Sequence, residues 1–252
     1  MIREMTAERL QSIRPDSEAA VKLLALTEAY GLSCPFVRYW EGEEGMVAAM
    51  MDGHLTLLPL KDALEETALF ISMQPEIRSL RTNRATAEQL GELLPGWRLE
   101  TGRVMKPGRT FHPSAVVSAP VLRMLYPVLT ACFPGQLPPF DVWYTDVHHR
   151  LRHGLCRLAA VEVDDRVAAC AMTTAECVGG GVIGAVATLP DYRGRGFASD
   201  CVSTLAASLQ KEDRQVYLSP KNVGAERLYA NLGFVPCGEW GSLQRPEGEK
   251  DK

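Results

Sequence analysis

The run Arg193-Gly194-Arg195-Gly196-Phe197-Ala198 carries the residue types best suited to chemistry. It follows an apolar, strand-like stretch from Val182 to Thr188 and a short loop, and it opens a helix whose apolar stripe is Ala198, Val202, Leu205, Ala206 and Leu209. That stripe fixes Arg193 to Ala198 in the first turn, where backbone N–H groups have no intrahelical partner. Such a turn is an anion cradle. The helix dipole and free amides favour a phosphate, Gly194 and Gly196 admit close backbone approach, and Arg193 and Arg195 add charge.

Two nucleotide motifs fail or fit poorly at this site. No Gly-Lys-Ser/Thr occurs, which excludes a Walker loop. The dinucleotide fingerprint needs a third Gly or Ala where Ser199 stands, and a tight turn where Leu189-Pro190-Asp191-Tyr192 intervenes. A nicotinamide-dependent oxidoreductase therefore rests on the glycine-rich loop alone.

Read as R-x-x-G-x-A through Arg193, Gly196 and Ala198, the segment ATLPDYRGRGFA resembles the pyrophosphate loop of the GNAT superfamily of acyl-CoA-dependent N-acetyltransferases. About thirty residues on, NVGAERLYANLGF (Asn222 to Phe234) is similar to that family's next helix. The resemblance implies an α/β GNAT fold with a mixed, mostly antiparallel sheet flanked by helices. It also implies acetyl-CoA as the acyl donor and direct transfer to a primary amine in a ternary complex.

By position, it gives Val186, Ala187 and Thr188 to the pantetheine arm. Arg193, Gly194, Arg195, Gly196, Phe197 and Ala198 go to the diphosphate, Asn222 to the cofactor arm, and Tyr229 to the CoA sulfur as general acid. Thiols titrate near about 8.5, so a phenol hydroxyl is a reasonable partner for the departing thiolate. Backbone N–H groups near Val186 would stabilise the oxyanion. Many relatives carry a glutamate base inside the strand; that position is Gly184 here. Asp146, His148, His149 and Glu176 are the candidate replacements, the first three on a helix that in this family borders the acceptor pocket. Gly184 is also the feature that favours an alternative class, an acyl-CoA-binding or sensing module without turnover.

Several of these residues have structural readings beside the chemical ones. Tyr229 shares a helical face with Ala225 and Leu232, as a core tyrosine would, and Asn222 is placed to cap its helix. His149, His153 and Asp146 make a partial metal face, but no other Cys/His cluster supplies further ligands, so no metal is expected.

The elements that must position these residues repeat. The first half reads as helix 17–30, strands 34–40, 45–51 and 54–58 with an Asp52-Gly53 turn, helix 61–73, strand 76–81, helix 84–93 and strand 97–105. Pro107-Gly108, Pro113 and Pro120 punctuate the next stretch. The second half then gives helices 120–132 and 140–152, strands 155–163, 166–175 and 181–188, helix 196–210, strand 215–219, helix 223–232, strand 234–240 and a polar tail from Gly241. Glycines 179–181 read as a flexible hairpin connection. The same order recurs about 130 residues later, which predicts two tandem GNAT-like halves: 1–107 degenerate, 108–119 linker, and 120–252 catalytic. Where the second half has RGRGFA, the first has Leu58 to Glu66 (LPLKDALEE), whose acids would repel a diphosphate.

Composition narrows the partners. The 252 residues carry 27 Lys and Arg against 31 Asp and Glu, a net charge of −4 that argues against nucleic acid and leans towards a cationic acceptor. Seven cysteines form no C-x-x-C pair, no signal segment follows Met1, and no apolar run approaches the roughly 20 residues of a membrane helix. A reduced, cytoplasmic protein off the membrane is expected; the acceptor amine and the oligomeric state are left open.

Overall fold

The computed structural model describes residues 1–246. In chain order the elements are β1 (Ile2–Glu4), α1 (Ala7–Ser12), α2 (Glu18–Tyr30), β2 (Val37–Gly42), β3 (Val47–Met51), β4 (His54–Leu57), α3 (Leu64–Ser72), β5 (Ser79–Asn83), α4 (Arg84–Leu93) and β6 (Arg98–Pro107). Then come β7 (Val117–Ser118), α5 (Leu125–Cys132), α6 (Phe140–Arg152), β8 (Leu158–Val163), β9 (Arg166–Cys177), β10 (Gly180–Thr188), α7 (Phe197–Gln210), β11 (Gln215–Leu218), α8 (Val223–Leu232) and β12 (Phe234–Gln244). The chain is α/β, and its sheets are mixed and mostly antiparallel, flanked by helices. Among the described residues two compact units result, one of Met1–Val104 with 237–246, the other of Met105–Pro236.

In the first unit the sheet order is β1-β2-β3-β4-β5-β12. Ser17 caps α2 by accepting from the Ala20 N–H, and Gly31 at φ 71° ends it, as the stripe of small and apolar residues requires. The polar tail expected from Gly241 is instead the end of β12. Residues Trp240–Gln244 run antiparallel to β5, and Leu243 is wholly buried among Leu80, Leu90 and Ile77. One apolar residue in a period-2 pattern suffices here because Gly241 lies against α4, where a Cβ would collide with that of Ala87. Arg245 then closes the strand by donating to the carbonyls of Ile71, Gln74 and Ile77.

The second unit is built on β11-β10-β9-β8-β7. β9 is buried on both faces, which its run of Val, Ala, Cys and Met allows. One apolar cluster joins the sheet to α7 and α8, and another joins it to α5 and α6. The stretch read as a linker is held on this unit. The Phe111 N–H donates to Gln210 Oε1, the Ser114 N–H donates to Thr204 Oγ1, and the Phe111 ring is buried. Of glycines 179–181, only Gly179 belongs to the turn; Gly181 is in β10, where a Cβ would meet Leu209 of α7 at 2.8 Å.

Candidate active site

The site begins where two strands part. β10 runs parallel to β11 from Gly180↔Gln215 to Ile183↔Leu218, and the pairing ends there. β10 continues to Thr188 along β9, with one extra residue between Gly184↔Met172 and Ala187↔Cys170. Ala185 takes the strain of this bulge at φ 49°. The β11-facing edge of Ala185 to Thr188 is thereby freed from strand pairing. Val186 and Thr188 are half-buried on it, while Ala187 is buried in the core.

Beyond Thr188 the chain makes a short 3-10 turn, Pro190–Tyr192, and enters α7. The Tyr192 and Arg193 N–H groups donate to Leu189 and Pro190, and the next engaged amide is that of Asp200, which donates to the Gly196 carbonyl. The six amides between them, Gly194 to Ser199, donate to no described group. Gly196 is the N-cap and offers no side chain to satisfy them. Both glycines are left-handed, at φ 76° and 84°, and a Cβ on either would meet nothing within 4 Å. The turn is therefore an open concavity of N–H groups at the positive end of a 14-residue helix. Arg193 Nε donates to the Thr188 carbonyl at 3.2 Å, and Arg195 donates to that of Asp191 while its guanidinium lies 5.3 Å from the Tyr192 ring. Phe197 and Ala198 are half-buried at the helix start.

Across the opening, α8 presents the other expected residues. Asn222 is the N-cap, its Oδ1 accepting from the Ala225 N–H at 2.9 Å. Tyr229 is 7% exposed in the cluster that includes Val202 and Phe234, whose ring stands 6.2 Å away. Burial pushes its hydroxyl up to about 12, so it is protonated throughout the neutral range.

The candidate bases are scattered. Glu176 is wholly buried, accepting from Arg157 Nε, Arg214 and Thr173 Oγ1 at 2.9, 2.7 and 2.8 Å. It holds a structural network together. Asp146 is gripped by Arg150 Nε and by a second guanidinium nitrogen at 2.6 Å, and Arg150 also donates to the Thr174 carbonyl. His148 stacks on Tyr144 at 5.4 Å, and His149 lies 4.3 Å from His153. These rings border a depression of about 370 Å³ lined by α6 and its C-cap, through Tyr144, Thr145, Arg152 and the three histidines. Trp143 and Val147 turn the opposite side of α6 into the core. Among the described residues no group of three His, Cys, Asp or Glu is placed to hold a metal ion.

Three residues at the opening were invisible in the sequence. Thr174 packs over Gly184, so that a Cβ there would come 2.7 Å from Thr174 Cγ2. Cys132 donates from Sγ to the Thr188 carbonyl, and Lys221 donates to Gln136 Oε1. None shares a local pattern with its partner; only the i, i+4 spacing of Asp146 and Arg150 could have announced that ion pair.

The acetyltransferase (GNAT) family model matches residues 122–234. The whole chain is similar in fold to a GCN5-related N-acetyltransferase from Sphaerobacter thermophilus (TM-score 0.65, 18% identity, 98% of this chain and 96% of that one). A GCN5-related N-acetyltransferase from Kribbella flavida gives 0.62, 17%, 94% and 98%. A tandem GNAT protein from the clavulanic acid biosynthesis pathway gives 0.57, 13%, 100% and 99%. No curated protein matches the sequence. No described helix is long and apolar enough to cross a membrane.

Proposed function

We propose that the chain, whose residues 122–234 match the acetyltransferase (GNAT) family model, transfers an acetyl group from acetyl-CoA to a primary amine by direct attack in a ternary complex. The observation that carries this reading is the row of six unengaged amides, Gly194 to Ser199, at the end of an unpaired strand edge. A diphosphate fits such a row, because its oxygens accept what the helix start leaves over. When bound, acetyl-CoA supplies an acetyl thioester.

In this arrangement the amides of Gly194 to Ser199 hold the diphosphate, with Arg193 and Arg195 beside it. Val186, Ala187 and Thr188 offer backbone groups to the pantetheine arm, with Asn222 Nδ2 facing the same arm while its Oδ1 caps α8. N–H groups at the bulge near Val186 take the charge that develops on the carbonyl oxygen. Carbon–nitrogen bond formation accompanies carbon–sulfur cleavage, and one proton passes from nitrogen to sulfur. Tyr229 donates its hydroxyl hydrogen bond to the departing sulfur. With its own ionisation near about 12, it stabilises a thiolate of pKa about 8.5 by hydrogen bonding and relays a proton without remaining ionised. The first unit, whose α3 opens with Glu65 and Glu66, serves as a structural half.

The test is release of free CoA thiol from acetyl-CoA in the presence of a panel of amines. Release that depends on an amine supports the transferase. Tight acetyl-CoA binding with no release on any amine supports the second reading, a non-catalytic acyl-CoA module, which the engaged state of Asp146 and Glu176 favours.

A further inference from the structure

The proton on the acceptor nitrogen sets a condition that the carboxylates around β10 do not meet. A simple alkylamine titrates near about 10.4, so at pH 7 roughly one molecule in 2,500 is uncharged and able to attack. An enzyme that uses such an acceptor needs a group to take the proton, and commonly a carboxylate to attract the cation. The elements packed around β10 can be searched for one.

On β9, Glu176 is sealed between Arg157, Arg214 and Thr173, and the residue over Gly184 is the uncharged Thr174. That threonine leaves no room for any side chain at position 184. On α6, Asp146 is neutralised by Arg150, whose side chain also reaches β9; Tyr144 and His148 stack on one another and, with His149 and His153, line the depression described above. On α5, the Cys132 thiol is a donor to Thr188. On α7, Asp200 stands within the first turn, among the amides given to the diphosphate. On α8, Glu226 occupies the first turn and Tyr229 is protonated. Between β11 and α8 stands a cation, Lys221.

The wider charge agrees. Residues 105–236 hold 13 Lys and Arg against 11 Asp and Glu, a balance of +2, so the acidity of the chain lies outside the unit that would bind the acceptor. The expectation of a cationic acceptor loses its basis. What the flank of β10 does offer is apolar and aromatic. Phe133, Leu137 and Ala185 are partly buried against one cluster, and Tyr126 contacts both Phe140 and Trp143 at ring distances of 5.1 and 5.2 Å.

We propose that the acceptor is a weakly basic amine on an aromatic body, which reaches the thioester already uncharged and needs no base from the protein. The inference rests on the acetyl-transfer reading above and names its substrate class. The proton balance closes without a further group: nitrogen gives up one proton as the amide forms, and the CoA sulfur receives one, through Tyr229 or solvent.

The experiment compares ring-substituted anilines with benzylamines of the same size, following thiol release from pH 6 to pH 9 after calorimetry has established that acetyl-CoA binds. The expected result is a kcat/KM for anilines that is flat with pH and at least tenfold above that of benzylamines at pH 7, with the benzylamine value rising about tenfold per pH unit. A benzylamine kcat/KM that equals or exceeds the aniline value at pH 7, or that levels off near neutrality, reveals a base in the protein and overturns this inference while leaving the transferase reading intact. Bound acetyl-CoA with no thiol released by either series overturns the transferase reading, and this inference falls with it.

Discussion

Ile183 and Leu218 are the last residues that β10 and β11 pair, and everything assigned to the cofactor lies beyond them on the β10 side or at the start of α7 and α8. The bulge at Ala185 and the left-handed glycines at 194 and 196 are then two conformational choices in one short segment, both of which expose backbone polar groups. Backbone groups left unpaired in a folded protein cost free energy unless water or a ligand satisfies them.

Gly196→Glu should abolish measurable CoA binding. The substitution puts a carboxylate at the proposed diphosphate and an L side chain at φ 84°, the latter costing about 1 kcal/mol by itself. Isothermal calorimetry, with circular dichroism to confirm folding, checks it; an unchanged affinity means the diphosphate lies elsewhere.

Tyr229→Phe should lower kcat by about 10- to 100-fold and leave the KM for acetyl-CoA within about twofold. An unaltered kcat assigns Tyr229 to the core alone.

The same variant tests burial of the hydroxyl. Tyr229 has a folded pKa raised to about 12 from an unfolded value of 10.0, so its contribution is fully present below pH 10 and is lost as pH rises towards 12. The urea midpoints of wild type and Tyr229→Phe should therefore differ by a constant amount up to pH 10. Above it the variant should gain on wild type, and parallel curves to pH 11.5 would show that the hydroxyl is not buried.

Glu176→Gln should lower stability by about 1–3 kcal/mol, because it removes the wholly buried charge that Arg157 and Arg214 both meet and leaves them only the more exposed Glu212 in common. Where the variant is still folded, its kcat should stay near the wild-type value. A folded variant with no turnover would return Glu176 to the list of bases.

Leu243→Ala, within ten residues of the chain's end, should cost about 2–4 kcal/mol in urea unfolding, since the side chain is wholly buried in the first unit. A cost below about 1 kcal/mol would mean that β12 does not complete that sheet.

The legible part of the site was local. Apolar periodicity at Val202, Leu205, Ala206 and Leu209 located α7, and that alone placed Arg193 to Ala198 at its start, because helix geometry leaves no choice of which amides are free. Asn222 as a cap and Tyr229 as a buried ring follow from the same reasoning. What escaped depends on contacts between residues distant in the chain. Nothing near Glu176 in sequence announces Arg214, and Thr174 over Gly184 is a consequence of β9–β10 register. The tail after Gly241 read as polar because only Leu243 in it is apolar; its fate was decided by β5, some 160 residues earlier. His149 belongs to the same class, since its position on α6 was clear but the direction in which α6 faces was not.

The most direct test is hydrogen exchange at the amides of Gly194 to Ser199 with and without CoA. Selective slowing at these positions when CoA is added, and little change along β1 to β5, is the predicted result. CoA that binds with micromolar or better affinity while these six amides exchange as fast as before would contradict the account.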